Sequence, residues 1–160
     1  MTAITNHPGD DPATRVADYL RQHHVATLAS VGAEGVWAAA VFYVNDGYTL
    51  YFLSSPASRH CRNLSADACV AMTIQEDYAD WPAIKGVQIE GMASEIAGAE
   101  EKRARLLYGQ KYPVVGKLAQ APAAIVKAMA KVRWYKVEPQ RLYFIDNSAG
   151  FGHRDEIALG

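Results

Sequence analysis

The sequence predicts a mainly β protein, an antiparallel barrel of six or seven strands with peripheral helices. Three observations carry that expectation: a run of strand-like segments begins at residue 25, short Gly-containing turns join neighbours, and helical patterns come late, with no alternation of strand and helix. A doubly wound parallel sheet requires that alternation, so it is disfavoured. The chain of 160 residues is one domain of ordinary size, able to bury a core without disulfide or metal staples.

The elements follow in order. Asp11-Pro12 with apolar Val16, Tyr19 and Leu20 at helical spacing reads as a capped helix, Pro at its first position, ending near His23 and covering one end of the barrel. Strands are expected over residues 25–31, 36–45 and 48–54. The turn Gly32-Ala33-Glu34-Gly35 joins the first pair, and Asp46-Gly47, the strongest hairpin signal in the chain, joins the second. Ser54-Ser55-Pro56 breaks the pattern before a short helix at 58–65 and a strand at 68–74. A polar loop with Tyr78, Trp81 and Pro82 leads to a strand at 86–96, where Val87, Ile89 and Gly91 alternate with Gln88, Glu90 and Met92.

From Ala99 the pattern is helical, with Glu100, Glu101, Lys102, Arg103 and Arg105 on the wet face and Leu106, Leu107 and Tyr108 facing inward. Pro113 ends it; a short helix at 121–129 and strands at 132–137 and 141–146 follow. The tail from Asn147 to Arg154 is rich in Gly and carries Phe151 and His153.

Composition excludes several classes. Sixteen Lys and Arg against 17 Asp and Glu leave a net charge of -1, without the broad basic field of a general nucleic-acid binder. No segment reaches the roughly 20 apolar residues of a membrane span, and residues 1–11 are polar, so a cytoplasmic protein with a disordered N-terminus is expected. Cys61 and Cys69 form no disulfide framework or zinc ribbon, and none of the five histidines has metal-ligand spacing, so no metal is expected. Phosphate-loop, dinucleotide and nucleophile-elbow motifs are absent.

Chemistry gathers where a strand runs into a helix at Ser54, Ser55, Ser58, Arg59 and His60. Unsatisfied N–H groups at a helix start attract an anion, Ser58 is placed to cap them, and Arg and His supply charge-assisted donors. The same residues also fit an ordinary Ser cap with solvated Arg and His. Small Ala38, Ala39 and Ala40 on the preceding strand admit either a flat ligand or a closely packed helix.

These residues resemble the FMN-binding split β-barrel, the superfamily of pyridoxamine 5'-phosphate oxidase. The likeness runs from His24 to about Ile96, in the order strand, Gly turn, strand, Asp-Gly turn, strand ending in hydroxyls, then S-R-[KH] opening a helix. A fuller likeness joins V-W-A-A-A-V-F-Y-V, S-R-H, I-K-G-V-Q-I-E-G, Tyr112-Pro113-Val114 and F-I-D-N-S-A-G-F-G-H-R. It resembles a small bacterial subfamily with a D-N-x-x-G-F-G-[HK] tail.

The resemblance implies an antiparallel split barrel at 12–160 that binds FMN. It implies phosphate contacts at Ser54, Ser55, Ser58, Arg59 and His60, main chain around Val41, Phe42 and Tyr43 lining the flavin ring, and Gly86 and Val87 on the next ring-side strand. It also implies a homodimer with flavin sites at the interface, to which the aromatics Trp37, Tyr43, Tyr78, Trp81 and Trp134 would contribute. Phe151, His153 and Arg154 are expected to fold over the flavin edge, from the same chain or its partner.

Two departures argue against vitamin-phosphate oxidation. The strand over 39–44 lacks the family's Arg and Lys, and the tail lacks the substrate motif R-x-H-D-R. What remains is an FMN-dependent oxidoreductase passing electrons from a reduced nicotinamide to a small acceptor; a flavin- or haem-binding protein without turnover, or use of F420, stays open. Because a flavin performs hydride chemistry itself, no catalytic side chain is assigned.

Overall fold

The computed structural model describes residues 11–160; the expectation of disorder over 1–11 falls outside them except at Asp11. Helix α1 (Pro12–Gln22) begins on Pro12, whose missing N–H and fixed φ suit a first helical position. Asp11 contributes its carbonyl, which accepts from Arg15 N at 3.1 Å, and its side chain makes no cap bond. The strands are β1 (Val25–Gly32), β2 (Gly35–Asp46), β3 (Thr49–Ser54), β4 (Cys69–Gln75), β5 (Lys85–Ile96), β6 (Arg133–Asp146) and β7 (Arg154–Glu156). Between them lie α2 (Arg59–Ala66), α3 (Gly98–Lys111), α4 (Pro113–Gly116) and α5 (Ala123–Met129).

The sheet order is β3-β2-β1-β4-β5-β6, and β3 pairs with β6 to close a six-stranded antiparallel barrel, with β7 added on β6. Alternation places one face of each strand inside: Leu28, Tyr43, Leu50, Phe52, Ile74, Val87, Leu142 and Phe144 are essentially inaccessible and form one cluster with Val16, Tyr19 and Leu20 of α1. Burying each large apolar side chain contributes about 1.5–3 kcal/mol, which makes the interior, closed at one end by α1, the main source of stability. A second cluster, with Tyr51, Ile96, Ala104, Tyr108 and Trp134, lies under α3.

Three expectations need correction. The segments 132–137 and 141–146 are one 14-residue strand. Glu90 pairs with Arg141 but Gly91 with Pro139, leaving Gln140 as a bulge. A bulge is where a strand tolerates a Pro, which has no N–H to donate. Leu106 does not face inward: it is 63% exposed, and Ala104 takes the buried position instead. Finally, helix α5 starts after Pro122, and α4 and β7 are additional elements. No helix among the described residues is long and apolar enough to cross a membrane.

Candidate functional site

Strand β3 ends at Ser54 and the chain turns through Ser55, Pro56 and Ala57 into α2. Ser55 fixes the turn: its carbonyl accepts from Ser58 N at 3.0 Å and its hydroxyl from Ala57 N at 3.3 Å. Ser58 is the N-cap of α2, its hydroxyl accepting from Cys61 N at 3.3 Å. The N–H groups of Arg59 and His60 in the same turn have no intrahelical acceptor. Two hydroxyls converge on one imidazole nitrogen: His60 Nε2 lies 2.7 Å from Ser54 Oγ and 3.2 Å from Ser58 Oγ. Hydroxyl protons rotate, so this cluster can present several donors to an oxyanion.

Beneath it lies buried Cys61. Burial pushes its thiol up, but hydrogen bonds involving His60, Ser58 and Tyr135 outweigh this and hold it below the ordinary thiol range.

Arg59 is partly committed elsewhere. Its Nη2 donates to Glu34 O at 2.8 Å, its Nη1 lies 3.9 Å from Glu34 Oε2, and its guanidinium covers the Trp37 ring at 4.5 Å. Its buried Nε has no partner among the described residues.

Val41 and Tyr43 turn their side chains into the core, while Phe42 points outward, 56% exposed. The Tyr43 main chain is engaged at both ends, its N–H donating to His24 O at 3.0 Å and its carbonyl accepting from Tyr112 Oη at 2.6 Å. Because Tyr43 pairs with Phe52, two residues before Ser54, this stretch lies beside the hydroxyl cluster.

Gly86 and Val87 stand apart from the hydroxyls but level with Val41 and Phe42, three strands away through Ile74 and Gln75 of β4 and Ala26 and Val25 of β1, or roughly 14 Å across the sheet. Gly86 pairs with Ile145, whereas Ser54 pairs with Arg133, so twelve residues of β6, roughly 40 Å of strand, separate the two positions. The tail accompanies Gly86. Asn147 N donates to Ile84 O at 2.9 Å, Asn147 Nδ2 to Trp81 O at 3.0 Å, and Gly152 N to Asn147 Oδ1 at 3.1 Å. These bonds hold Phe151 in a stack on Trp81, ring centroids 5.5 Å apart, with the rings 81% and 65% exposed. Buried Asp146 anchors the turn by accepting from Ser148 N at 2.9 Å and pairing with Arg15. His153 faces Asp155, and Arg154 lies over Tyr143. Of the other aromatics singled out, Tyr43 lies in the barrel interior, Trp134 is buried under α3 and Trp37 remains 41% exposed.

The outward face of β1, β4 and β5 carries a shallow groove of about 350 Å³ above Ala29 and Ala71, rimmed by Thr27, Gln88, Glu90 and Arg154. Val25, Val31, Val36 and Phe42 add exposed apolar surface on β1 and β2. No His, Cys, Asp and Glu cluster among the described residues has metal-binding geometry.

One residue near the hydroxyl cluster was not anticipated. Arg133 lies directly across from Ser54 in the β3–β6 register. The sequence signal for it was charge segregation: residues 102–137 carry nine Lys and Arg and no Asp or Glu, a block hidden by the near-neutral total.

The closed six-stranded antiparallel barrel with an appended strand and peripheral helices defines a split-barrel protein. The profile for pyridoxamine 5'-phosphate oxidase matches residues 13–146, and the chain belongs to that family. A UPF0306 protein of Klebsiella pneumoniae is 30% identical over 146 residues, covering 90% of this chain and 91% of its own. The UPF0306 protein YhbP of Escherichia coli O157:H7 is 27% identical over 143 residues, covering 88% and 89%. Among solved structures, a heme binding protein from Mycobacterium smegmatis superposes with a TM-score of 0.70 at 22% identity, over 93% of this chain and 59% of that one. A FAD-binding protein from Mesorhizobium loti gives 0.62 at 17% identity, over 92% and 96%.

Proposed function

We propose that this protein binds FMN as a homodimer and passes electrons from a reduced nicotinamide to a small acceptor. The observation that carries the reading is the convergence of Ser54, Ser58 and His60 at the start of α2 in a split barrel. Hydroxyls, an imidazole and unsatisfied first-turn amides suit the dianionic end of FMN, and Ser55 holds the turn that presents them. Arg59 adds positive charge from the side of Trp37. Bound FMN supplies hydride acceptance; the chain supplies binding, orientation and exclusion of water.

The homodimer is proposed with the flavin at the contact between the two chains. Val41, Phe42 and Tyr43 lie beside the phosphate end, and Gly86 and Val87, level with Val41 and Phe42 three strands across the sheet, are assigned to the ring side with them. The small-residue face of β1 and β2, with Val25, Val31, Val36 and Phe42 exposed, is the surface assigned to that contact. The FAD-binding neighbour supports a flavin, and the heme-binding neighbour makes haem the alternative. Two free thiols suit a reducing, cytoplasmic compartment.

The test is to titrate the purified protein with FMN and follow absorbance, sedimentation mass and reduced-nicotinamide oxidation. The expected result is saturable uptake of one FMN per chain in a particle of two chains, with flavin-dependent oxidation in the presence of an acceptor. A Soret band from haemin uptake without flavin binding would favour the haem reading. Failure to take up flavin would overturn the proposal.

A further inference from the structure

We infer that Arg133 is a phosphate-binding residue of this site, supplying from β6 the countercharge that α2 provides only in part. The inference rests on the cradle reading above, but its evidence is the register of β3 against β6.

Ser54 and Arg133 are directly opposite in an antiparallel pair, so their side chains leave the same face with Cβ atoms about 5 Å apart. That face is identified by the next inward pair on it, Phe52 and Tyr135, whose rings stack at 5.3 Å inside the core. Ser54 and Arg133 thus rise from the interior-facing side at the rim of the barrel, where His60 Nε2 also meets Ser54. Burial, the Cys61 thiol and the Glu95 carboxylate push the Tyr135 hydroxyl up, and the Arg133 charge opposes them.

Charge balance calls for such a residue. A phosphate monoester carries between one and two negative charges at neutral pH. Arg59 already faces the Glu34 carboxylate and carbonyl. Arg133 is exposed and has no ion-pair partner among the described residues. It also lies in the acid-free block 102–137, and the carboxylate across the sheet, Glu95, stands opposite Tyr135 two residues further along β6 and makes no ion pair with Arg133 among the described residues. A guanidinium at this point can donate two parallel bonds to phosphate oxygens, which a lysine cannot reproduce.

The experiment compares dissociation constants of FMN and riboflavin, the same ring without the phosphate, for the native protein, Arg133→Ala, Arg133→Lys and Ser58→Ala. Phosphorus NMR of inorganic phosphate provides a flavin-independent probe. Arg133→Ala should weaken FMN about 10- to 100-fold and leave riboflavin within about twofold, with Arg133→Lys in between. Equal losses for FMN and riboflavin would assign Arg133 to folding and overturn the inference, as would unchanged FMN affinity in Arg133→Ala when Ser58→Ala loses it. Phosphate binding that depends on Arg133 in a protein that refuses FMN would remove the proposed cofactor and keep the anion site. Binding of neither ligand would remove both.

Discussion

Lys111 shows how a single side chain can link α3 to the base of α1. Its ammonium donates to His23 O at 2.5 Å and Leu20 O at 3.3 Å and lies 4.3 Å from the Tyr43 ring centroid. Burial nevertheless pulls it down to about 8 from the 10.5 of an ordinary lysine. Between those values the unfolded chain holds more protons than the folded one, so this group makes stability rise with pH from about 8 towards 10.5. Its unfavourable contribution is fully present below that window. With allowance for solvent around the partly exposed amine, the rise is about 0.5 kcal/mol per pH unit. Denaturation of the native protein between pH 8 and 9.5 should show this slope, and Lys111→Met should lack it. Above pH 10 the buried Tyr19 and Tyr43 and the half-buried Tyr112, whose hydroxyls burial pushes up, act in the opposite direction because they ionise first in the unfolded chain.

At the scale of elements, what could be read from the sequence depended on whether the cause was local. The β2–β3 hairpin was legible because Gly47 needs its φ of +57°, which Asp-Gly turns favour. The strand β5 was legible because Val87, Ile89 and Gly91 are all buried, with period two. Strand β6 was divided at Pro139 because the bulge that accommodates the proline depends on Gly91, 48 residues earlier. A Cβ on Gly91 would lie 2.6 Å from Glu138 O, a backbone atom with little freedom to retreat. Gly91→Ala should therefore destabilise the protein by about 1–3 kcal/mol in chemical denaturation; an unchanged midpoint would mean that the bulge relaxes freely. The buried face of helix α3 was not legible at Leu106, because choosing it requires knowing that Ala104 meets the cluster around Trp134. The hydroxyl cradle was visible because its members lie within seven residues. Arg133 was not, since only the closure of β3 on β6 brings it to Ser54.

For the whole molecule, one barrel carries two distant features. One rim gathers Ser54, Ser58, His60 and Arg133; the other end bears Gly86 and the stacked Trp81–Phe151 pair. The tail, expected to reach the flavin edge, is fastened beside Ile84 and Trp81, next to Gly86. In the proposed homodimer this end of one chain would meet the flavin of the other. That contact also gives the exposed Trp81 and Phe151 rings a flat partner on which to stack, an arrangement aromatic pairs favour. The near-neutral total charge hides the asymmetry that matters, a basic block running from α3 into the start of β6 in an otherwise acidic chain.

The central claim is that the rim of this barrel holds a phosphate. It is tested most directly by the ratio of riboflavin to FMN dissociation constants for the native protein at low salt. With two charge-assisted contacts to the phosphate, FMN should bind at least about 100-fold more tightly than riboflavin. Equal affinities would contradict the account.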